Sequence, residues 1–117
     1  MKSVLLRELA HARSGDKGSS ANIGVIAYTP DGYLFLQKYL TTERVQEYFK
    51  PLGVTSAKRF ELPNLKALNF LLHNALAEGG SRSLRIDSQG KALGQAILQM
   101  SIEIPEEILK KSIVNDK

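Results

Sequence analysis

From Asn22 to Thr29 the chain reads Asn-Ile-Gly-Val-Ile-Ala-Tyr-Thr, a β-branched and aromatic run that halts at Pro30-Asp31-Gly32. That pattern predicts a buried strand followed by a turn. Apolar residues then recur at helical intervals, Leu36 and Leu40 in one piece and Val45, Tyr48 and Phe49 in the next. They predict helices over 33–40 and 42–49, the second capped by Thr41 and ended by Pro51 and Gly53. Ala57 to Leu62 reads as a strand closed by Pro63. Asn64 then stands where an N-cap would, before a helix running from Leu65 to Ala77 and stopped by Gly79-Gly80. At about 100° per residue Leu65, Leu68, Leu72, Ala75 and Leu76 share one face of that helix, with Lys66, Asn69 and His73 opposite. Residues 3–10 and 83–87 are shorter strand candidates, and 92–99 fits either helix or strand. Met100, Ile102 and Ile104 alternate with Gln99, Ser101 and Glu103 as a half-buried strand does. Pro105 ends the core, and residues 106–117 form a tail with room for one or two helical turns.

Strands interleaved with two helical regions predict an α+β fold, a two-layer α/β sandwich with helices on one face of a mainly antiparallel sheet. A ferredoxin-like arrangement is the expectation, as one domain over 1–105. The second sheet face is left to meet solvent or a partner. Composition narrows the chemistry. The 117 residues include no cysteine and two histidines, His11 and His73. Disulfides, thiolate metal sites, a cysteine nucleophile and an all-histidine metal centre within one chain are thereby excluded, and no metal or cofactor is expected. The apolar run Val4-Leu5-Leu6 is cut by Arg7-Glu8, far short of a signal peptide's hydrophobic region, and no run approaches a bilayer's thickness. The expectation is a cytoplasmic protein without membrane contact. Its net charge of +4, spread along the chain, permits an anionic partner.

The densest polar segment is His11-Ala-Arg-Ser-Gly-Asp-Lys-Gly-Ser-Ser-Ala-Asn22. Read as a loop over His11 to Ser20, its Gly15 and Gly18 let backbone N–H groups converge on an anion. Arg13 and Lys17 add charge, and Ser14, Ser19 and Ser20 add hydroxyls. Neither the Walker A spacing nor G-x-G-x-x-G is present, and the alternative is an ordered surface loop whose charges pair among themselves. His11 with Asp16 offers one group that titrates near neutrality and one orienting carboxylate, the minimum for acid–base work. No esterase elbow surrounds Ser14. A second cationic stretch, Gly79 to Lys91, holds Arg82 and Arg85, and it reads more readily as a solvated strand and turn than as a site. Asn69 and His73, four residues apart, fall on one side of the expected helix. RNA-recognition domains share the ferredoxin-like topology but carry aromatic residues on central strands. Here only Tyr28 and Phe60 are assigned to strands, the remaining aromatics to helices, and nucleic acid is not an expected partner.

Four stretches also resemble a known family. They are Leu9-Ala-His-Ala-Arg-Ser-Gly-Asp-Lys-Gly18, Ala21-Asn-Ile-Gly-Val-Ile-Ala27, Glu61-Leu-Pro-Asn-Leu-Lys-Ala-Leu-Asn-Phe70 and Arg82-Ser-Leu-Arg-Ile-Asp-Ser-Gln-Gly-Lys91. In this order they are similar to the small C-terminal domain of the AtuA family, associated with acyclic terpene utilisation, over nearly all of residues 3–104. The resemblance implies a ferredoxin-like fold and carries His11, Arg13, Ser14, Asp16, Lys17, Asn22, Asn64, Asn69, Arg82 and Arg85 over as motif positions. In that family the small domain follows a larger one. The implied role is therefore an accessory domain that forms an oligomer, either with itself or with a separately encoded AtuA-type large protein, and shares an anionic-ligand site in the chemistry of branched acyl-CoA compounds. The rival expectations are a small enzyme acting by itself on acyl-CoA or carboxylates and, more weakly, a nucleic-acid-binding module.

Overall fold

A computed structural model of the chain describes residues 1–17, 20–73 and 91–113. In chain order the elements are β1 (Lys2–Leu5), a 3-10 turn (Leu6–Glu8), β2 (Ala10–Lys17), β3 (Ser20–Ala27), α1 (Pro30–Tyr39), α2 (Thr42–Phe49) and a 3-10 turn (Lys50–Leu52). There follow β4 (Ser56–Leu62), a 3-10 turn (Pro63–Leu65), β5 (Ala67–His73), α3 (Lys91–Ile97), β6 (Ser101–Ile104) and α4 (Glu106–Ser112). Four strands form an antiparallel sheet in the order β2-β3-β5-β4, and β1 pairs with β6 in a separate two-stranded ribbon. Both β3 and β4 run antiparallel to β5, so they are parallel to each other and α1–α2 crosses between them. That split β-α-β unit is the signature of the ferredoxin-like α+β fold.

The helices begin where the local chemistry allows. Thr29 accepts from the Gly32 amide at 2.9 Å with Pro30 at the first helical position, and Thr41 accepts from the Arg44 amide at 3.1 Å. Gly53, at φ 96°, ends the turn after α2 in a conformation that a side chain disfavours. The core lies between the sheet and the helices, where Ile23, Val25, Leu68, Phe70 and Leu72 meet Leu36, Leu40, Val45, Phe49, Leu93 and Ile97, all buried. α4 belongs to this layer too. Thr29 donates to the Lys111 carbonyl at 2.8 Å, and Ser112 is fully buried.

The strand expected over 3–10 ends at Leu5 before a 3-10 turn, Pro30-Asp31-Gly32 opens α1 where a turn was expected, and two elements differ in kind from the sequence-based expectation. His11 to Lys17 is not a loop but strand β2, paired with β3 from Ala10↔Ala27 to Lys17↔Ser20. The expected helix after Asn64 is instead a 3-10 turn, then Lys66 in the left-handed region at φ 54°, then β5, whose burial alternates from Leu68 onward. Asn64 makes no capping hydrogen bond there. Residues 74–77 of that helix and the strand expected over 83–87 lie outside the described residues. The ambiguous stretch at 92–99 is mostly helix α3, and the strand candidates at 22–29, 57–62 and 100–104 are β3, β4 and β6.

Candidate functional site on the open sheet face

A strand sends alternate residues to opposite faces, so the register assigns every sheet position to a side. Ala21, Ile23, Val25 and Ala27 of β3 and Leu68, Phe70 and Leu72 of β5 face the helices and are buried. The opposite side carries no helix among the described residues. Its register rows, read across β2, β3, β5 and β4, are His11–Ile26–Ala67–Leu62, Arg13–Gly24–Asn69–Phe60, Gly15–Asn22–Leu71–Lys58 and Lys17–Ser20–His73–Ser56. These rows contain arginine, lysine and histidine and neither aspartate nor glutamate. Phe60 is 49% exposed and Leu62 41%. The acidic residue of β4, Glu61, is on the helix side, where it is paired with Arg59 at 2.7 Å.

Polar side chains on this face are tied to one another. Asn22 donates through Nδ2 to Asn69 Oδ1 at 3.1 Å, and Ser20 Oγ shares a hydrogen bond of 3.2 Å with His73 Nδ1. Both pairs join β3 to β5 in the middle of the sheet. A head-to-tail amide pair of this kind leaves one carbonyl oxygen and three of its four amide N–H groups unused, whichever way the two groups are turned. Beside the pair two glycines leave the sheet bare. A Cβ at Gly15 would have no atom within 4 Å, and one at Gly24 would meet Asn69 Oδ1 at 3.7 Å. Arg13 adjoins both, two residues from Gly15 along β2 and level with Gly24 across the register. At the end row the His11 ring stacks on Tyr28, with centroids 5.7 Å apart.

The sequence-derived candidates separate accordingly. His11, Arg13, Gly15, Lys17, Asn22 and Asn69 occupy positions on this one face. Ser14 does not: it faces the helix layer, where its Oγ accepts from the Gly94 amide at 3.1 Å. Asp16 pairs in register with Ala21 and His11 with Ile26, positions of opposite parity on one strand, so β2 does not bring the two to the same side. Asn64 is exposed in the turn between β4 and β5. Gly18, Arg82 and Arg85 lie outside the described residues. Asn69 and His73 share a side as the helical reading had them, because an offset of four is common to the helical and the strand repeat. Sequence reasoning missed Gly24, Lys58 and Phe60. The period-two spacing of Ser56, Lys58, Phe60 and Leu62 along β4 was the available signal.

The pairing of a split β-α-β sheet with the motif-bearing strand β2 at its edge agrees with a family model, the AtuA ferredoxin-like domain, which matches residues 4–103. The chain belongs to this family. Comparison with curated proteins and with solved structures returned no match. Within this AtuA ferredoxin-like domain no group of three or more His, Asp or Glu side chains among the described residues is placed to hold a metal ion. No helix among them is long and apolar enough to cross a membrane. The aromatic inventory also shifts: Phe70, expected on a helix, is on β5, yet it faces the core, so the open face of the domain shows Phe60 and, beyond the end of β3, Tyr28. What the face offers chemically is a binding surface: unopposed cations, a partly used amide pair and exposed apolar side chains. Among the described residues the hydroxyl–imidazole contact it holds is Ser20 Oγ with His73 Nδ1, at 3.2 Å.

Proposed function

We propose that this AtuA ferredoxin-like domain is an accessory domain that associates with a separately encoded AtuA-type large protein and contributes the β2-β3-β5-β4 face to a shared anionic-ligand site, with acyl-CoA thioesters as the candidate class. The observation that carries the reading is the charge on that face, where Arg13 and Lys58 are exposed and no register row holds a carboxylate. Local potential of a single sign attracts an anion and speeds its encounter. Phe60 and Leu62 supply apolar area of the sort that a protein partner covers.

Co-expression with an AtuA-type large protein from the same genome, followed by affinity capture, tests the reading. The expected result is a stoichiometric complex that CoA thioesters protect against thermal unfolding, a ligand at about 100 times its dissociation constant adding about 2.7 kcal/mol. A chain that captures no such protein, and whose melting temperature no anion shifts, overturns it.

A further inference from the structure

We propose that the group read by the Asn22–Asn69 pair is the base of a nucleotide, with the nucleotide's phosphate on the flanking cations; this rests on the anionic-site reading above and specifies its ligand. The pair decides between ligand types. Its unused N–H groups would welcome an oxyanion, but the unused Asn22 Oδ1 finds no donor in one, so a bare carboxylate or phosphate leaves that acceptor unsatisfied. A planar group with a donor and an acceptor side by side satisfies both, as the edge of adenine does when an asparagine amide reads it.

The floor next to the pair suits a planar group. Gly15 and Gly24 are diagonal neighbours on β2 and β3, so two adjoining positions of the open face lack side chains, and the space over Gly15 is empty. A flat ring can rest on sheet backbone there as it cannot over a Cβ. Arg13 borders both glycines and has no hydrogen-bond or ion-pair partner among the described residues, leaving its guanidinium for a phosphate. An amide reader, a bare floor and a free cation within neighbouring register rows correspond to the three parts of a mononucleotide: edge, ring face and charge.

Equilibrium dialysis of the intact chain against AMP, ribose 5-phosphate and inorganic phosphate is the test. The expected result is AMP bound about tenfold or more tightly than ribose 5-phosphate, the scale of one to two hydrogen bonds and a ring contact. Gly15→Val should abolish AMP binding without lowering the melting temperature, because the new side chain covers the bare backbone while its Cβ meets no atom within 4 Å. Asn69→Asp keeps an acceptor for Asn22, removes two of the three unused N–H groups and adds a negative charge, so it should weaken AMP at least tenfold. Equal affinity for AMP, ribose 5-phosphate and phosphate overturns the inference while leaving the anionic site intact. Failure of all three at millimolar concentration overturns both. A single-stranded oligonucleotide bound far more tightly than AMP, with steep salt dependence, replaces the mononucleotide by nucleic acid.

Discussion

The Ser14 hydroxyl accepts a hydrogen bond from the Gly94 amide at 3.1 Å, joining the edge strand β2 to helix α3. Gly94 is the fourth residue of α3 as described, so Ser14 ties the edge strand to the backbone of that helix. The approach is close. A Cβ on Gly94 would sit 3.0 Å from Ser14 Oγ and 3.5 Å from its Cβ. Ser14→Ala should therefore cost about 1 kcal/mol, the typical net value of one hydrogen bond. Gly94→Ala should also destabilise, even though alanine is the better helix former by about 1 kcal/mol. The double variant removes the closer clash and should be more stable than the sum of the two single losses implies. Chemical denaturation of the three variants measures this, and strict additivity would show that the contact does not exist.

One buried and one half-buried tyrosine make the same substitution give opposite results. Tyr48 donates to the Ala96 carbonyl at 2.7 Å, whereas the Tyr33 hydroxyl is buried with no partner among the described residues. Tyr48→Phe should cost about 1 kcal/mol, and Tyr33→Phe should be neutral or stabilising by up to about 1 kcal/mol. Their titration separates them from ordinary tyrosines. Burial raises the pKa of both above the ordinary value of 10.0, and for Tyr33 the nearby Glu61 raises it further while Arg59 opposes. The folded state thus holds the phenol protonated when the unfolded chain would ionise. The stability from this source is whole below pH 10.0 and is lost as pH rises from there through the folded-state value. Melting temperatures recorded across the alkaline range should fall less steeply for Tyr33→Phe than for the native chain.

Arg59 links β4 to the end of α1. Its guanidinium donates to the carbonyls of Gln37 at 2.7 Å and Leu40 at 3.0 Å and to Glu61 at 2.7 Å. A cation at a helix C-terminus, answering carbonyls that the helix cannot satisfy, is favourable through both the hydrogen bonds and the dipole. Arg59→Lys should lose most of this, since an ammonium does not span two carbonyls and a carboxylate at once. The expected cost is about 1–3 kcal/mol, the range of hydrogen bonds to a charged group. Glu61→Gln should cost under about 1 kcal/mol, because the carboxylate side of the pair is 40% exposed and solvent screens it. Urea midpoints rank the two, and the reverse order would place the energy in the ion pair and not in the helix end.

The elements that the sequence made legible are those whose side chains suit one period alone. Ile23 and Val25 read as strand, and Leu36, Leu40, Val45 and Phe49 with Thr41 between them read as two helices; both readings hold in the structure, although Pro30-Asp31-Gly32, expected as a turn, is the first turn of α1. β5 was misread because Leu68 and Leu72, four apart, satisfy both the helical and the strand repeat. Phe70 decides between them, buried together with Leu68 and Leu72 as only an alternating strand allows. β2 was misread for a different reason. Its helix-facing positions Ala10, Ala12 and Ser14 are small because α3 approaches closely there, with Gly94 facing Ser14 and Ala12, so the strand lacks the β-branched residues by which strands are recognised. The grouping of Arg13 with Asn22 and Asn69 needed the β2-β3-β5 register, which depends on long-range pairing that no local pattern states.

The single-signed charge of the open face predicts how binding responds to substitution and salt. Arg13 and Lys58 are exposed, so Arg13→Glu and Lys58→Glu should each leave stability within about 0.5 kcal/mol of the native chain. Lys110→Glu on the exposed side of α4 makes the same change to the net charge of +4 away from that face. If the face is the binding surface, the first two variants weaken capture of the anionic ligand or partner and the third does not. If net charge alone attracts it, all three weaken it alike. Salt gives the second reading of the same quantity: screening shortens from about 10 Å at 0.1 M to about 3 Å at 1 M ionic strength. Affinity of the native chain should therefore fall with salt, and that fall should be shallower in Arg13→Glu than in Lys110→Glu, because only the former has already lost a charge that the ligand meets.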